Sequence, residues 1–498
     1  MTSENTGAFA ERLSGPKYMG SDQDNLRAVD RGRLMGDPLN YSISGPTLVV
    51  LAQSGSWRES MNTSEFIHEL KWEHVPDAVQ NQVRRCFLDT IGTAVAARQT
   101  ELSGIVYEFA AAAYGGTGAA LWLDGRQVSP PGAALAHGMT IDALDIHDSC
   151  RPVKGHAGVA LVPAALATLS LNSEIVSGQE LLTTLVMGYE IAIRAGKSLH
   201  ATACDYHTSG AWNALGCAAI TSRRLGTTND QTRHALGIAE YHGPRSQMMR
   251  CIDHPTMLKD GSGWGAMAGV SAGLLAHGNF SGAPALTVEA AEVSDIWADL
   301  GQQWVLMEQS FKPYAVCYWA QAAIAGAINL QRAHDIQPKE IQVIRVYAFH
   351  EATRLATHRP TNTEQAQYSL PFPVAGALVH GRLDYEQLND TALQDPLVLD
   401  LAERVELIDD GTFNARFPAE RVSRVVIELK DGSSFDSGEV RPLWDPSAPP
   451  GDEELRTKFQ RLACSHLPRT RAGALEEMIW QCADLPDVSE LVDSLIAA

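Results

Sequence analysis

Three carboxylates, two histidines, two basic side chains and a serine fall within the fifteen residues Asp142–His156, which read Asp-Ala-Leu-Asp-Ile-His-Asp-Ser-Cys-Arg-Pro-Val-Lys-Gly-His. An apolar run of small residues, 157–167, follows directly. Charged groups delivered to the mouth of a buried element are costly unless they are paired or used. The mixture of acid, base and cation therefore points to proton transfer on a bound anion. If the stretch begins as helix, Asp142, Asp145 and Ser149 share a face by three- and four-residue spacing. Pro152 and Gly155 then force a loop. His156 falls at the next helix N-terminus, where backbone amides favour anions. The structural alternative is a polar helix end with ordinary caps.

Four further stretches carry similar groups. Asp205-Tyr206-His207 precedes a small-residue helix and repeats the placement of His156. Lys259, in Thr256–Gly263, opens another; it reads as a carboxylate anchor, as a buried amine base, or as a surface lysine lying along apolar neighbours. Ser310–Cys317 carries Lys312 and lies where the pattern of the chain changes, and sites favour such junctions. Cys317 has no neighbouring base in sequence and reads as packing. Tyr368, in Ala366–Phe372, starts a helix; alone it reads as core, but its phenol can donate to an oxyanion.

The elements that must position these groups fall into two classes. From about residue 62 to 306 the pattern is helical: Thr63-Ser64-Glu65 caps a helix running to about Trp72, and Val79–Ala97 repeats apolar residues at helical spacing. The segments Ala157–Leu171, Ser209–Leu225 and Gly263–His277 are rich in small residues on all faces, as buried, closely packed helices are. Residues 307–450 read as a smaller α+β unit. Ile341–Phe349 alternates as a half-buried strand does, and Arg421–Val440 reads as a hairpin turning at Asp431-Gly432. Phe372–His380 and Leu393–Val405 look helical between them. Residues 442–452 are proline-rich, and 451–498 return to helix. Residues 1–61, rich in Gly, Ser, Asn and Asp with one apolar run at 47–53, read as a poorly ordered extension or an arm over a neighbouring subunit.

A chain of 498 residues needs more than one core. Its formal net charge of -20 argues against a nucleic-acid or anionic-membrane partner but not against a small anionic substrate held in a local cationic pocket. The eight cysteines form no CxxC pair, which argues against structural zinc or an iron–sulfur cluster. Scattered thiols fit a reducing, cytoplasmic setting. No apolar run is long enough to span a bilayer, and no basic region followed by an apolar segment opens the chain, so neither an anchor nor a secretory signal is expected.

In this order, the helix Arg84–Ala96, the loop Asp145–Gly158, the His207 helix, Lys259, Lys312-Pro313-Tyr314 and Ala366–Pro371 resemble the MmgE/PrpD family of 2-methylcitrate dehydratases and cis-aconitate decarboxylases, over about residues 62–498. The resemblance implies a mainly α fold. Its large all-helical domain is completed by the C-terminal helices, and an α+β lid is inserted between them. It also implies a homodimer and chemistry without metal or other cofactor. It maps the family's active-site acid onto Asp145, its hydroxyl onto Ser149, its histidines onto His156 and His207, its lysines onto Lys259 and Lys312, and its tyrosine onto Tyr368. This chain departs from the pattern locally. Ser149 stands where threonine is common, and His147 interrupts an acidic pair. The loop carrying Arg151 and Lys154 is a residue longer than in the decarboxylases, and His156-Ala157 replaces His-Pro. His147, Arg151 and Lys154 are therefore read as contacts to this protein's own substrate.

The expected function is a cofactor-independent lyase of the dehydratase type, acting on a small di- or tricarboxylate through α-proton abstraction. One of His156 and His207 takes the proton, Asp145 with Ser149 handles the leaving hydroxyl, and the lysines hold carboxylates. The alternatives are an epimerase of an amino- or imino-dicarboxylate, using the two histidines on opposite faces, and a cis-aconitate-type decarboxylase.

Overall fold

The structure is a computed structural model and describes residues 61–497. The expected extension and its apolar run at 47–53 lie outside the described residues. The first helix, Thr63–Glu69, is capped one residue earlier than expected. The Asn62 side chain accepts from the Glu65 amide at 2.9 Å, and Glu65 returns to the Asn62 amide at 3.2 Å. The helix stops at Leu70 rather than Trp72.

Two hydrophobic cores organise the chain. The larger is built around the helix Asp77–Ala97, whose Val79, Val83, Phe87, Ile91 and Val95 recur every fourth residue and are all buried. It includes Pro130–Asp142, Gly158–Ala167, Gly178–Thr202, Gly210–Leu225 and Ser262–His277. The C-terminal helices Asp452–Ala463 and Arg469–Trp480 join the same core through Leu455, Phe459, Ala472, Leu475 and Ile479.

Small residues set the spacing of this core. A Cβ on Gly138 would stand 2.7 Å from the Gly263 Cα, and one on Gly263 would stand 2.6 Å from the Met139 amide nitrogen. The helices Pro130–Asp142 and Ser262–His277 therefore cross backbone to backbone. That crossing lets the Asp142 carboxylate, at the end of one, accept from the Ser262 amide at the start of the other at 3.2 Å.

The smaller core surrounds a four-stranded sheet in the order Val405–Asp409, Ile341–Ala348, Ser423–Leu429, Ser434–Val440. The first pair is parallel, with Val346 opposite Leu407, and the other two are antiparallel. The hairpin turns at Asp431-Gly432, with Gly432 at φ 89°. The helices Gln321–His334 and Pro371–His380 belong to this core. The expected helix 393–405 is a correction: Pro396–Ala402 is helical, but Val405 begins a strand. Among the described residues, no helix is long and apolar enough to cross a membrane.

Candidate active site

The stretch 142–156 is held by side chains from distant parts of the chain. The helix ends at Asp142, with no proline or glycine to stop it. Its end is completed by Gln367, which donates to the Ala143 carbonyl at 2.9 Å and accepts from the Asp145 amide at 2.8 Å. Buried Lys458, from the C-terminal helices, donates to the Ile146 carbonyl at 2.6 Å and to Asp89 Oδ1 at 2.5 Å. Tyr189 donates to Asp148 Oδ2 at 2.6 Å, and Asp148 Oδ1 accepts the Gly158 amide at the start of the next helix at 3.2 Å. Ser149–Cys150 then pairs as a short strand with Gln309–Ser310. The expected shared helical face of Asp142, Asp145 and Ser149 therefore does not form. Asp142 caps another helix, Asp145 sits in a turn, and Ser149 lies in extended chain.

Asp145 is the electrostatic centre. It is buried and forms an ion pair with the fully buried Lys312. Burial opposes its ionisation, but Lys312, His156 and Lys259 outweigh that and hold the carboxyl well below the usual range. It is a carboxylate with no proton to give, so its expected role as the acid for a leaving hydroxyl does not fit. His156 Nε2 lies 3.7 Å from Asp145 Oδ1. Burial, reinforced by Lys312, lowers the His156 pKa to about 4. Its Nδ1 lies 2.7 Å from the Asp148 carbonyl, which can only accept, so in the neutral ring the proton sits on Nδ1 and Nε2 carries the lone pair.

Lys259, at φ 48° and buried, donates to Gln367 Oε1 at 2.9 Å and lies 4.8 Å from the centre of the Tyr368 ring. One glutamine thus fixes both the Asp145 turn and the Lys259 ammonium. Burial, with Asp145 nearby, pushes the Tyr368 phenol well up, so it stays a hydrogen-bond donor.

These groups surround a cavity of about 40 Å³, lined in part by Asp145, Ser149, Arg151, Lys154, His156 and Tyr368. At roughly 10–15 Å³ per water it holds about three waters. The lining also includes Met248, Ile252, Cys317 and Trp319, all from the smaller core. Cys317 is buried, and burial pushes its thiol up to about 12, in keeping with packing rather than nucleophilic attack.

Four expected site residues, His147, His207, Lys259 and Lys312, are not on the cavity wall. His147 is fully buried behind His156, ring centres 4.6 Å apart and edge to face, and its Nε2 lies 3.8 Å from Asp142 Oδ1. Its expected contact with substrate is therefore not available. His207 lies beside Asp205, with Nδ1 3.7 Å from Oδ1, and its backbone amide donates to His200. Lys259 and Lys312 act from behind the wall, through Tyr368, Gln367 and Asp145.

Three residues escaped the sequence reading. Gln367 adjoins Tyr368 and carried no signal of its own. Asp260 follows Lys259, lines the cavity, and accepts from Ser209 Oγ. Burial, with Asp142 close by, raises its carboxyl to about 7, so it keeps a proton to a higher pH than an ordinary carboxyl does. Arg421, at the foot of the hairpin, also lines the cavity.

Asp145, His147 and His156 offer ligand atoms within 4.8 Å of one another. The donor set does not suit a dication. The Lys312 ammonium already occupies Asp145, His156 Nδ1 is bonded to a carbonyl, and Lys259 adds a second positive charge.

Comparison with known proteins identifies the family of the chain. The MmgE/PrpD N-terminal domain matches residues 62–299, and the MmgE/PrpD C-terminal domain matches residues 314–484. The chain is 24% identical over 481 residues to cis-aconitate decarboxylase of Aspergillus terreus, covering 87% of this chain and 95% of that one. It is 23% identical over 456 residues to the cis-aconitate decarboxylase of Homo sapiens, covering 86% and 92%. It is 24% identical over 477 residues to a mitochondrial 2-methylcitrate dehydratase of Yarrowia lipolytica, covering 86% and 88%. With both family domains matched in order across one mainly α chain, this protein belongs to the MmgE/PrpD family.

Proposed function

We propose that this protein is a lyase that removes an α-proton from a di- or tricarboxylate and expels hydroxide, a hydro-lyase. The observation that carries this is His156: a neutral imidazole with its Nε2 lone pair beside a carboxylate–ammonium pair, in a small cavity ringed by cations. Lys259 and Tyr368 are placed to stabilise the charge that develops on the substrate carboxylate. His156 Nε2 takes the α-proton, the C–H electron pair becomes the new C=C bond, and the C–O bond breaks. Asp260, the cavity carboxyl that still holds a proton near neutrality, gives it to the leaving hydroxide, which departs as water. Ser149 lines the same wall and orients the leaving group. Asp145 keeps Lys312 and His156 in place and strengthens the base as the proton arrives.

A second reading is decarboxylation, as in the relatives that bear that name. It is favoured by the apolar wall of Met248, Ile252 and Trp319, which would desolvate a departing carboxylate. Epimerisation finds less support, because the second histidine it would use, His207, is not on the cavity.

The smaller unit, 307–450, supplies one wall of a cavity too small for such a substrate, and we propose that it acts as a lid that opens to admit it. A homodimer in a reducing, cytoplasmic setting completes the proposal. The eight cysteines are all free, and light scattering tests the dimer. Incubating the protein with candidate acids in deuterated buffer separates the chemistries by NMR. Hydro-lyase action gives a new alkene and water, and decarboxylation releases carbon dioxide. Deuterium at the α-carbon with inversion and no alkene would overturn the lyase reading.

A further inference from the structure

Arg421 is 4% exposed, and its Nε and one Nη have no hydrogen-bond acceptor. A buried guanidinium without acceptors is costly to keep. A neighbouring acid, Asp445, is engaged elsewhere. Asp445 Oδ2 accepts from Arg151 and from the Tyr318 phenol, each at 3.3 Å, and Oδ1 accepts from the Ser447 amide and hydroxyl at 3.2 and 2.9 Å. Tyr318 offers Arg421 only its ring face, 5.6 Å from the guanidinium carbon. Lys154 lines the same cavity, held at φ 52° by its loop with its ammonium 3.9 Å from the centre of the Tyr206 ring.

We propose that Arg421, with Lys154 beside it, forms a second anion subsite that binds the substrate carboxylate remote from the reacting carbon. The planar fork of a guanidinium matches a carboxylate with two parallel hydrogen bonds. The orphaned nitrogens would receive the acceptors they lack. The Tyr368 side of the cavity, with Lys259 and Lys312 behind it, holds the carboxylate next to the carbon that loses its proton. The Arg421 side then selects acids with another carboxylate and turns away monocarboxylates. This subsite rests on the carboxylate-lyase reading above.

The test is calorimetric binding of tricarballylate, glutarate and butyrate to the full chain and to Arg421→Gln and Arg421→Lys. The expected result is that Arg421→Gln weakens tricarballylate by about ten- to a hundredfold, leaves butyrate within about twofold, and raises KM more than it lowers kcat, while Arg421→Lys restores part of the loss. Lys154→Gln, at a less buried position, should show a smaller loss of the same selectivity and serves if Arg421→Gln fails to fold. Equal weakening of all three acids, or no weakening of any, would overturn the subsite while leaving the lyase reading standing. Failure of the unaltered protein to bind any of the three would overturn both.

Discussion

Replacing Lys312 with methionine tests the electrostatic core of the site. Lys312 is fully buried, and its ammonium pairs with an Asp145 carboxylate that is itself 3% exposed. Removing one member of a buried pair leaves the other charge without its main partner, which costs about 3–5 kcal/mol. Lys259 offsets part of this, because it also favours the Asp145 anion, so the lower end of that range is expected. In the native protein the depressed Asp145 pKa contributes stability that is present above the unfolded value of about 3.9 and is lost as pH falls. In Lys312→Met, burial dominates and the sign reverses: stability is greatest in acid and is lost as pH rises through the elevated carboxyl pKa. Thermal melts from pH 4 to 8 measure both effects. The double variant Lys312→Met, Asp145→Asn removes the stranded charge and should recover most of the loss while remaining inactive. The reasoning is refuted if Lys312→Met melts within a degree of the parent across that range, or if adding Asp145→Asn brings no recovery.

Other consequences follow from the same geometry. Gly138→Ala would force two helices apart at a 2.7 Å contact, and overpacking of this kind costs about 1–3 kcal/mol; a lower melting temperature and weaker turnover together are expected. The pH profile of kcat/KM should rise through about 4 as His156 loses its proton and fall beyond about 7 as Asp260 loses its own. Asp260→Asn should lower kcat by roughly a hundred- to ten-thousand-fold and remove the alkaline limb. Lys458→Met strands buried Asp89 and frees the Ile146 carbonyl, so it should cost about 3–5 kcal/mol and depress activity, although Lys458 is not among the cavity-lining residues. Because Lys312 already occupies Asp145, prolonged dialysis against EDTA should leave turnover unchanged.

The site was legible where charge sits at the start of a small-residue helix. His156 and Lys259 stood out because charged groups beside an apolar run are costly unless paired or used, and Lys312 stood out by its place where the pattern of the chain changes. What stayed hidden depends on contacts across the chain. The end of the helix at Asp142 is set by Gln367, more than two hundred residues away, so local spacing suggested a shared face that does not exist. Val405–Asp409 gained its extended form from parallel pairing with Ile341–Ala348, which no local period announces. Arg421 was silent because an arginine before a strand is ordinary; only its burial without acceptors makes it unusual. His147 misled for the opposite reason: it is surrounded by site residues in sequence, but its ring turns inward.

The overall charge of -20 and an anion-binding cavity are compatible because the acids near that cavity are already committed. Asp145 is tied to Lys312, Asp445 to Arg151, and Asp142 to a helix N-terminus. Burial, with Asp142 close by, favours the neutral form of Asp260. Arg421 lacks acceptors, and the ammonium of Lys259 has the neutral amide of Gln367 as its hydrogen-bond partner. The positive charge that remains uncommitted is therefore local and buried, where low dielectric makes it strong and salt screens it least. Burial, reinforced by Lys312 behind the wall, keeps His156 unprotonated. A substrate carboxylate arriving in the cavity offsets that positive field and raises the basicity of His156 at the moment a proton has to be taken.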